Sequence, residues 1–202
     1  AGVGAARDAS SPGALPISPI SVSTDTRHLT AMAAVTPAVS VVPGIAKLID
    51  ILYIYQSCII STGAGTVISN AAAKPARFNN GKDVRLGAVV VNALGGASPV
   101  VTTTYVDQDG NAGATGFLSA AAPSSPVGSL LSGSASVLLG SPEMLLAAGD
   151  SGVRELTSYT TATGTTGAIT FFLYRDLAEV PLIAANLMSE RDFLSQIPSL
   201  PV

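Results

Sequence analysis

Apolar and polar residues alternate in short runs along most of this chain, the pattern of half-buried β-strands. It predicts strands over 47–55, 66–69, 85–94, 100–106, 116–120, 135–139, 153–161, 168–175 and 177–183. Strings such as Val89-Val90-Val91, Thr102-Thr103-Thr104-Tyr105-Val106 and Phe171-Phe172-Leu173-Tyr174 supply the β-branched and aromatic side chains that suit a pleated surface. Gly/Asn-rich strings separate the runs: Gly63-Ala64-Gly65, Asn79-Asn80-Gly81, Asp109-Gly110-Asn111 and Gly164-Thr165-Thr166-Gly167. Short strands at regular spacing between such turns predict an all-β fold, an antiparallel β-sandwich of jelly-roll-like form.

Two hairpins are expected. One turns at Asp109-Gly110, a type I′ pair that needs positive φ at Gly110. The other places two strands around 162–167, between Tyr159 and Phe171. Several strands are apolar on both faces. Over 48–55, one face carries Leu48, Leu52 and Ile54, and the other carries Ile49, Ile51, Tyr53 and Tyr55. A half-exposed strand would alternate cleanly. The second face is therefore expected against another sheet, the chain's own arm, or another subunit.

The flanks differ from this middle segment, so the sequence divides into an arm (1–44), a β-domain (45–183) and a short tail (184–202). Residues 1–44 carry Pro12, Pro16, Pro19, Pro37 and Pro43. Repeated prolines exclude long helices and central strands and favour an extended arm. A disordered tail is the alternative; an ordered arm is most easily held by lying on a partner. Its candidate assembly contacts are Pro16, Ile17, Pro19, Ile20, Leu29, Val35 and Val39. In 184–202, Ser189 followed by Asp192 resembles a capping box, with Phe193, Leu194 and Ile197 as an apolar stripe before Pro198. That predicts a short C-terminal helix.

Composition narrows the function. Charged residues make up 11% of the 202 residues, about half the usual share of roughly 25%. There is one histidine, His28, one cysteine, Cys58, and no tryptophan. Most catalytic sites need several titratable groups converging in a cleft, and few are on offer, so no enzyme is expected. The net charge is −3, with no run of Lys or Arg, so no nucleic-acid partner is expected. Mean hydropathy is +0.49, yet no apolar run approaches the roughly 18 residues of a membrane span, so no membrane partner is expected either. No charged n-region precedes an apolar core, so no secretion signal is read. High apolar content with few charges instead fits a surface covered by neighbouring subunits. Cys58, in Cys58-Ile59-Ile60, is expected to be a small buried hydrophobe.

Two strings mimic functional motifs. Gly149-Asp150-Ser151-Gly152 matches the surroundings of a protease serine. That chemistry needs a histidine base, and His28 sits in the Pro-rich arm. The expected role is a turn feeding the strand from Val153. Asp107-Gln108-Asp109-Gly110-Asn111 begins like a calcium loop, but its glycine comes two positions early and Leu118 stands where a Glu ligand belongs. A hairpin turn is expected, with no cofactor or metal.

Three stretches together resemble a known group: Leu48-Ile49-Asp50-Ile51-Leu52-Tyr53-Ile54-Tyr55, Thr102-Thr103-Thr104-Tyr105-Val106-Asp107-Gln108-Asp109-Gly110-Asn111-Ala112-Gly113, and Gly149-Asp150-Ser151-Gly152-Val153-Arg154 followed by the run from Thr166 to Leu182. They are similar to virion structural proteins of tailed bacteriophages, small β-rich head-associated proteins. The resemblance spans about residues 45–183 and brings no catalytic residues. It implies a capsid decoration or cement protein that stabilises the phage head by binding major capsid subunits or other virion proteins, as a homo-oligomer. Its location would be the virion, assembled in the host cytoplasm. A neck, tail or fibre component is the alternative within that class. A ligand-binding β-sandwich module is the alternative outside it.

Overall fold

The computed structural model describes residues 5–6, 31–37, 43–60, 66–67, 75–120, 123–133, 143–162 and 165–192. Regular structure among them is all β, in ten strands: β1 (Ala5–Ala6), β2 (Ala31–Ala34), β3 (Gly44–Ile59), β4 (Thr66–Val67), β5 (Arg85–Asn92), β6 (Val100–Asp107), β7 (Ala112–Ser119), β8 (Val153–Thr161), β9 (Ala168–Leu182) and β10 (Ser189–Asp192). One four-stranded sheet has the order β1-β3-β9-β5, a second the order β4-β8-β6-β7, and β10 pairs with β2 in a two-stranded sheet. The pairings of β1 with β3, β5 with β9, β6 with β7 and β8, and β10 with β2 are antiparallel.

Three expectations about elements and their pairing are corrected. The capping-box residues Ser189 and Asp192 lie in a strand, paired with Ala34 and Ala31. Asn186, at a φ of 59°, turns the chain, and its N–H reaches the Thr36 carbonyl at 2.7 Å. That contact sets up the ladder with β2, which supplies the backbone partners a helix cap would otherwise provide. The rest of the expected helix, Phe193 onward, lies outside the described residues. The segments expected over 168–175 and 177–183 form one continuous strand, β9, from Ala168 to Leu182. The expected hairpin between Tyr159 and Phe171 is instead a crossing between sheets, since β8 and β9 belong to different ones. The Ala162 N–H bonds to Val100 on the β6 side, while the Gly95 and Ile60 N–H groups bond to the Thr166 and Gly167 carbonyls on the other. The turn residues fix a reversal but not the strand that receives it. The expected strand over 135–139 lies outside the described residues.

The chain clusters into two compact units: Ala1–Pro12 with Ile51–Arg175, and Gly13–Asp50 with Asp176–Val202. These units cut across the division into arm, domain and tail. Ala5 and Ala6 of the arm pair with Ile54 and Tyr53, and Ala31–Ala34 pairs with β10.

In the first unit, both four-stranded sheets contribute to one hydrophobic cluster. Tyr55, Leu86, Ala88, Val90, Ile169, Phe171 and Leu173 come from the first sheet, and Val101, Tyr105, Leu118, Leu156 and Tyr159 from the second. A buried hydroxyl needs a partner, and two tyrosines find theirs across the sheets. The Leu156 N–H donates to the Tyr55 hydroxyl at 3.0 Å, and the Tyr159 hydroxyl donates to the Ile59 carbonyl at 3.1 Å. Leu52 and Tyr53 are neighbours and both buried, as are Leu173 and Tyr174. Adjacent residues face opposite ways, so this chain covers both faces of β3 and β9 at these points. Cys58 is fully buried, and desolvation raises its thiol pKa to about 11.

Along β8, the buried residues Val153, Leu156 and Tyr159 are spaced by three rather than two. Two register shifts against β6 explain this, each giving β8 an extra residue. Thr157 is one of these residues, and its hydroxyl bonds back to the Thr104 carbonyl at 2.9 Å.

Beyond β5, two loop segments take the place of a further strand. The Val90, Leu131 and Met144 N–H groups bond to Ser129, Ala88 and Leu86. The same segments meet β7 through a reciprocal Ser119–Ser132 pair at 2.8 Å and the Phe117–Leu145 bridge. Edges paired in this way are closed to other strands.

Gly110 has a φ of 91° as expected, but Asp109 is not left-handed, so the turn is not type I′. The Gly110 N–H bonds to the Asp107 carbonyl at 3.2 Å and the Asp107 N–H to the Asn111 carbonyl at 3.1 Å. This is the three-residue loop with a left-handed glycine at its end. Gly110→Val should lower unfolding stability by about 1–3 kcal/mol. Urea denaturation checks it, and an unchanged midpoint would contradict this turn geometry.

Candidate functional site

The two motif-like strings meet at one end of the first unit, where three turns contact one another. The Asp107 carboxylate ties the first turn. Its Oδ1 accepts the Asp109 and Asn111 N–H groups at 2.8 and 2.9 Å, and its Oδ2 accepts the Asn111 side-chain amide at 2.9 Å. These bonds, led by that of the Asn111 side chain, hold the Asp107 pKa below 3.8. A depressed folded pKa gives stability that is complete above the unfolded value and lost as pH falls through the folded one. Asp107→Asn should therefore flatten the acid limb of stability against pH below about 4, as thermal melts across that range would reveal. A limb of unchanged slope would show that other carboxylates set it.

Gln108 links this turn to the second. Its Oε1 accepts the Ser151 N–H at 2.9 Å and the Gly152 N–H at 3.3 Å, while its Nε2 donates to Asp109 Oδ2 at 2.8 Å. Tyr105 holds the second turn from below. Its hydroxyl donates to Asp150 Oδ2 at 2.5 Å and accepts the Ala147 N–H at 2.8 Å. Burial, and then the bond to Asp150, push the phenol up to about 12. Gly152 rests against the backbone of Gly81 and Asp83 in the third turn.

The arrangement is a mutual brace. Gly149-Asp150-Ser151-Gly152 turns the chain into β8 at Val153, and 107–111 turns it from β6 into β7, as expected of both strings. The Ser151 amide serves Gln108, and the Asp107 oxygens serve the turn itself. No group of three or more His, Cys, Asp or Glu among the described residues is placed to hold a metal ion. His28 lies outside the described residues. Sequence reading missed the roles of Gln108 and Tyr105, because strand alternation marks Tyr105 as core and says nothing of its hydroxyl.

The second unit offers a different kind of site. Of its described large apolar side chains, Val35, Ile45, Leu177, Ile183, Leu187 and Met188 are exposed, Met32, Leu48, Ile49 and Leu182 are half-buried, and Val180 is buried. The ladder pairs Ser189 with Ala34, and Val35 and Met188, which follow and precede these residues, are both more than half exposed. Lys47 and Asp176 pair at 3.4 Å, and Arg191 donates to the Glu179 carbonyl at 3.2 Å. Of the seven candidate assembly contacts, Val35 is described and is 60% exposed. Pro16, Ile17, Pro19, Ile20, Leu29 and Val39 lie outside the described residues.

Comparison of the chain with protein-family models, curated proteins and solved structures finds no match.

Proposed function

We propose that this protein is a structural component of a tailed-phage virion, a decoration or cement protein that binds major capsid subunits as a homo-oligomer. The observation that carries the reading is the second unit's apolar surface: Val35, Ile45, Leu177, Ile183, Leu187 and Met188 exposed on a small unit. So many exposed large apolar side chains on a small unit fit a surface that a partner covers. The phage resemblance of 45–183 supplies the setting. On this reading the two four-stranded sheets are the halves of a jelly-roll-like sandwich.

The test has two parts. Purified particles should contain this chain at a fixed ratio to the major coat protein. Full-length protein should co-sediment with particles stripped of it, and Val35→Glu with Met188→Glu should weaken that binding with little change in melting temperature. A few copies per particle would favour the neck or tail instead. Absence from particles would overturn the reading.

A further inference from the structure

We propose that Phe78 and the arginines around it form the anchor that grips an acidic protein surface, an assignment that rests on the assembly role above. Phe78 has a φ of 55°. The left-handed region is unfavourable for a bulky side chain and is normally left to Gly or Asn. Gly81 and Asp83 follow at 71° and 59°, and the Gly81 N–H bonds to the Phe78 carbonyl at 2.9 Å. The winding of this turn therefore argues against phenylalanine, and the fold does not bury its ring, which is 42% exposed. Neither conformation nor core packing accounts for an aromatic here. Strain of this kind concentrates where a side chain is held for function.

The surroundings define the partner. The cations described in the first unit are Arg77, Lys82, Arg85, Arg154 and Arg175. They are scattered in sequence but converge on this turn. Arg77 and Lys82 lie within it, and Arg85 opens the strand that follows. Arg154 Nε donates to the Asn79 carbonyl at 3.1 Å. The Arg175 guanidinium lies 4.2 Å from the Phe78 ring centre. Arg85 pairs with Glu143, and Asp83 closes the turn. In a chain of net charge −3, this is a local basic patch around a propped aromatic. Aromatic and Arg side chains dominate the energetics of protein interfaces. A single ring without a basic track is not the stacking groove of a single-stranded nucleic-acid binder, so the complementary surface is a carboxylate-rich protein.

Fluorescence anisotropy of the full chain with a dye-labelled oligoglutamate, and separately with an oligothymidylate, tests this. Wild type should bind the oligoglutamate in a salt-sensitive way. Phe78→Gly and Arg175→Gln should each weaken binding by about tenfold or more. Arg191→Gln, in the second unit, should leave it unchanged. Phe78→Gly relieves the left-handed strain, so its melting temperature should equal or exceed wild type, whereas a ring with a structural role would melt lower on removal. No oligoglutamate binding, equal binding by the variants, preferred binding to oligothymidylate, or a lower melting temperature for Phe78→Gly would each overturn the assignment. Failure here with particle binding intact removes the anchor alone, while loss of wild-type particle binding removes the assembly role.

Discussion

Phe171→Ala should destabilise the protein by about 3–5 kcal/mol. The ring is fully buried on β9 and packs at 5.4 Å, centre to centre, on Tyr159 of β8. It thus fills space between residues from both four-stranded sheets. Alanine would leave a cavity where an aromatic stood, and the flanking strands, held in register by Ala88 opposite Phe171, can close it only in part. Guanidinium unfolding followed by tyrosine fluorescence measures the loss. Phe172→Ala, on the opposite face, is the control and should cost less, because Phe172 is only partly buried. Equal losses at the two positions would mean that Phe171 is not at the centre of the core.

Gly152→Ala is expected to cost about 3 kcal/mol, the upper end of what overpacking does. A Cβ at this position would collide with the Gly81 carbonyl oxygen and come within 3.0 Å of the Asp83 N–H. Both are backbone atoms of a tight turn, so no side chain can swing away. Relief would require separating the turns and stretching the bond from the Val153 N–H to the Val84 carbonyl, now 2.9 Å. Gly149→Ala is the informative comparison. Its φ of 97° strains any side chain, but nothing lies within 4 Å of a new Cβ. It should cost about 1 kcal/mol, less than Gly152→Ala. Differential scanning calorimetry of both variants decides the order, and the reverse order would refute the close packing of the turns.

The strands were largely legible because alternation and turn chemistry are local. The expected 153–161 coincides with β8, and 100–106 falls one residue short of β6. Sheet membership was not legible. Gly164-Thr165-Thr166-Gly167 marks a reversal as well as Asp109-Gly110 does, yet one crosses between sheets and the other closes a hairpin. Tertiary pairing decides between them, and no residue in either loop encodes it. The same holds for Ser189 and Asp192, whose spacing fits a cap but whose partner is β2. The three braced turns were visible as turns only. Their contacts join Gln108 to Ser151 and Gly152 to Gly81, across separations that no local pattern reports. The basic patch around Phe78 was hidden for the same reason, since its cations are spread from Arg77 to Arg175.

The position of β9 has a consequence for synthesis. It lies between β3 and β5 in its sheet, and its partner residues on β5 are far away in sequence, with Arg85 opposite Tyr174. While the ribosome is still making the loop after β8, β3 and β5 have no strand between them, and the core lacks Ile169, Phe171 and Leu173. Folding of these sheets must therefore wait until β9 has emerged, and the long loop closures make the step slow. Nascent chains stalled before residue 168 should be cleaved readily by protease, and chains released after Leu182 should resist. In the interval the unpaired flanks of β3 and β5 are open to strands of neighbouring nascent chains, so yield in the cell depends on how quickly β9 is delivered.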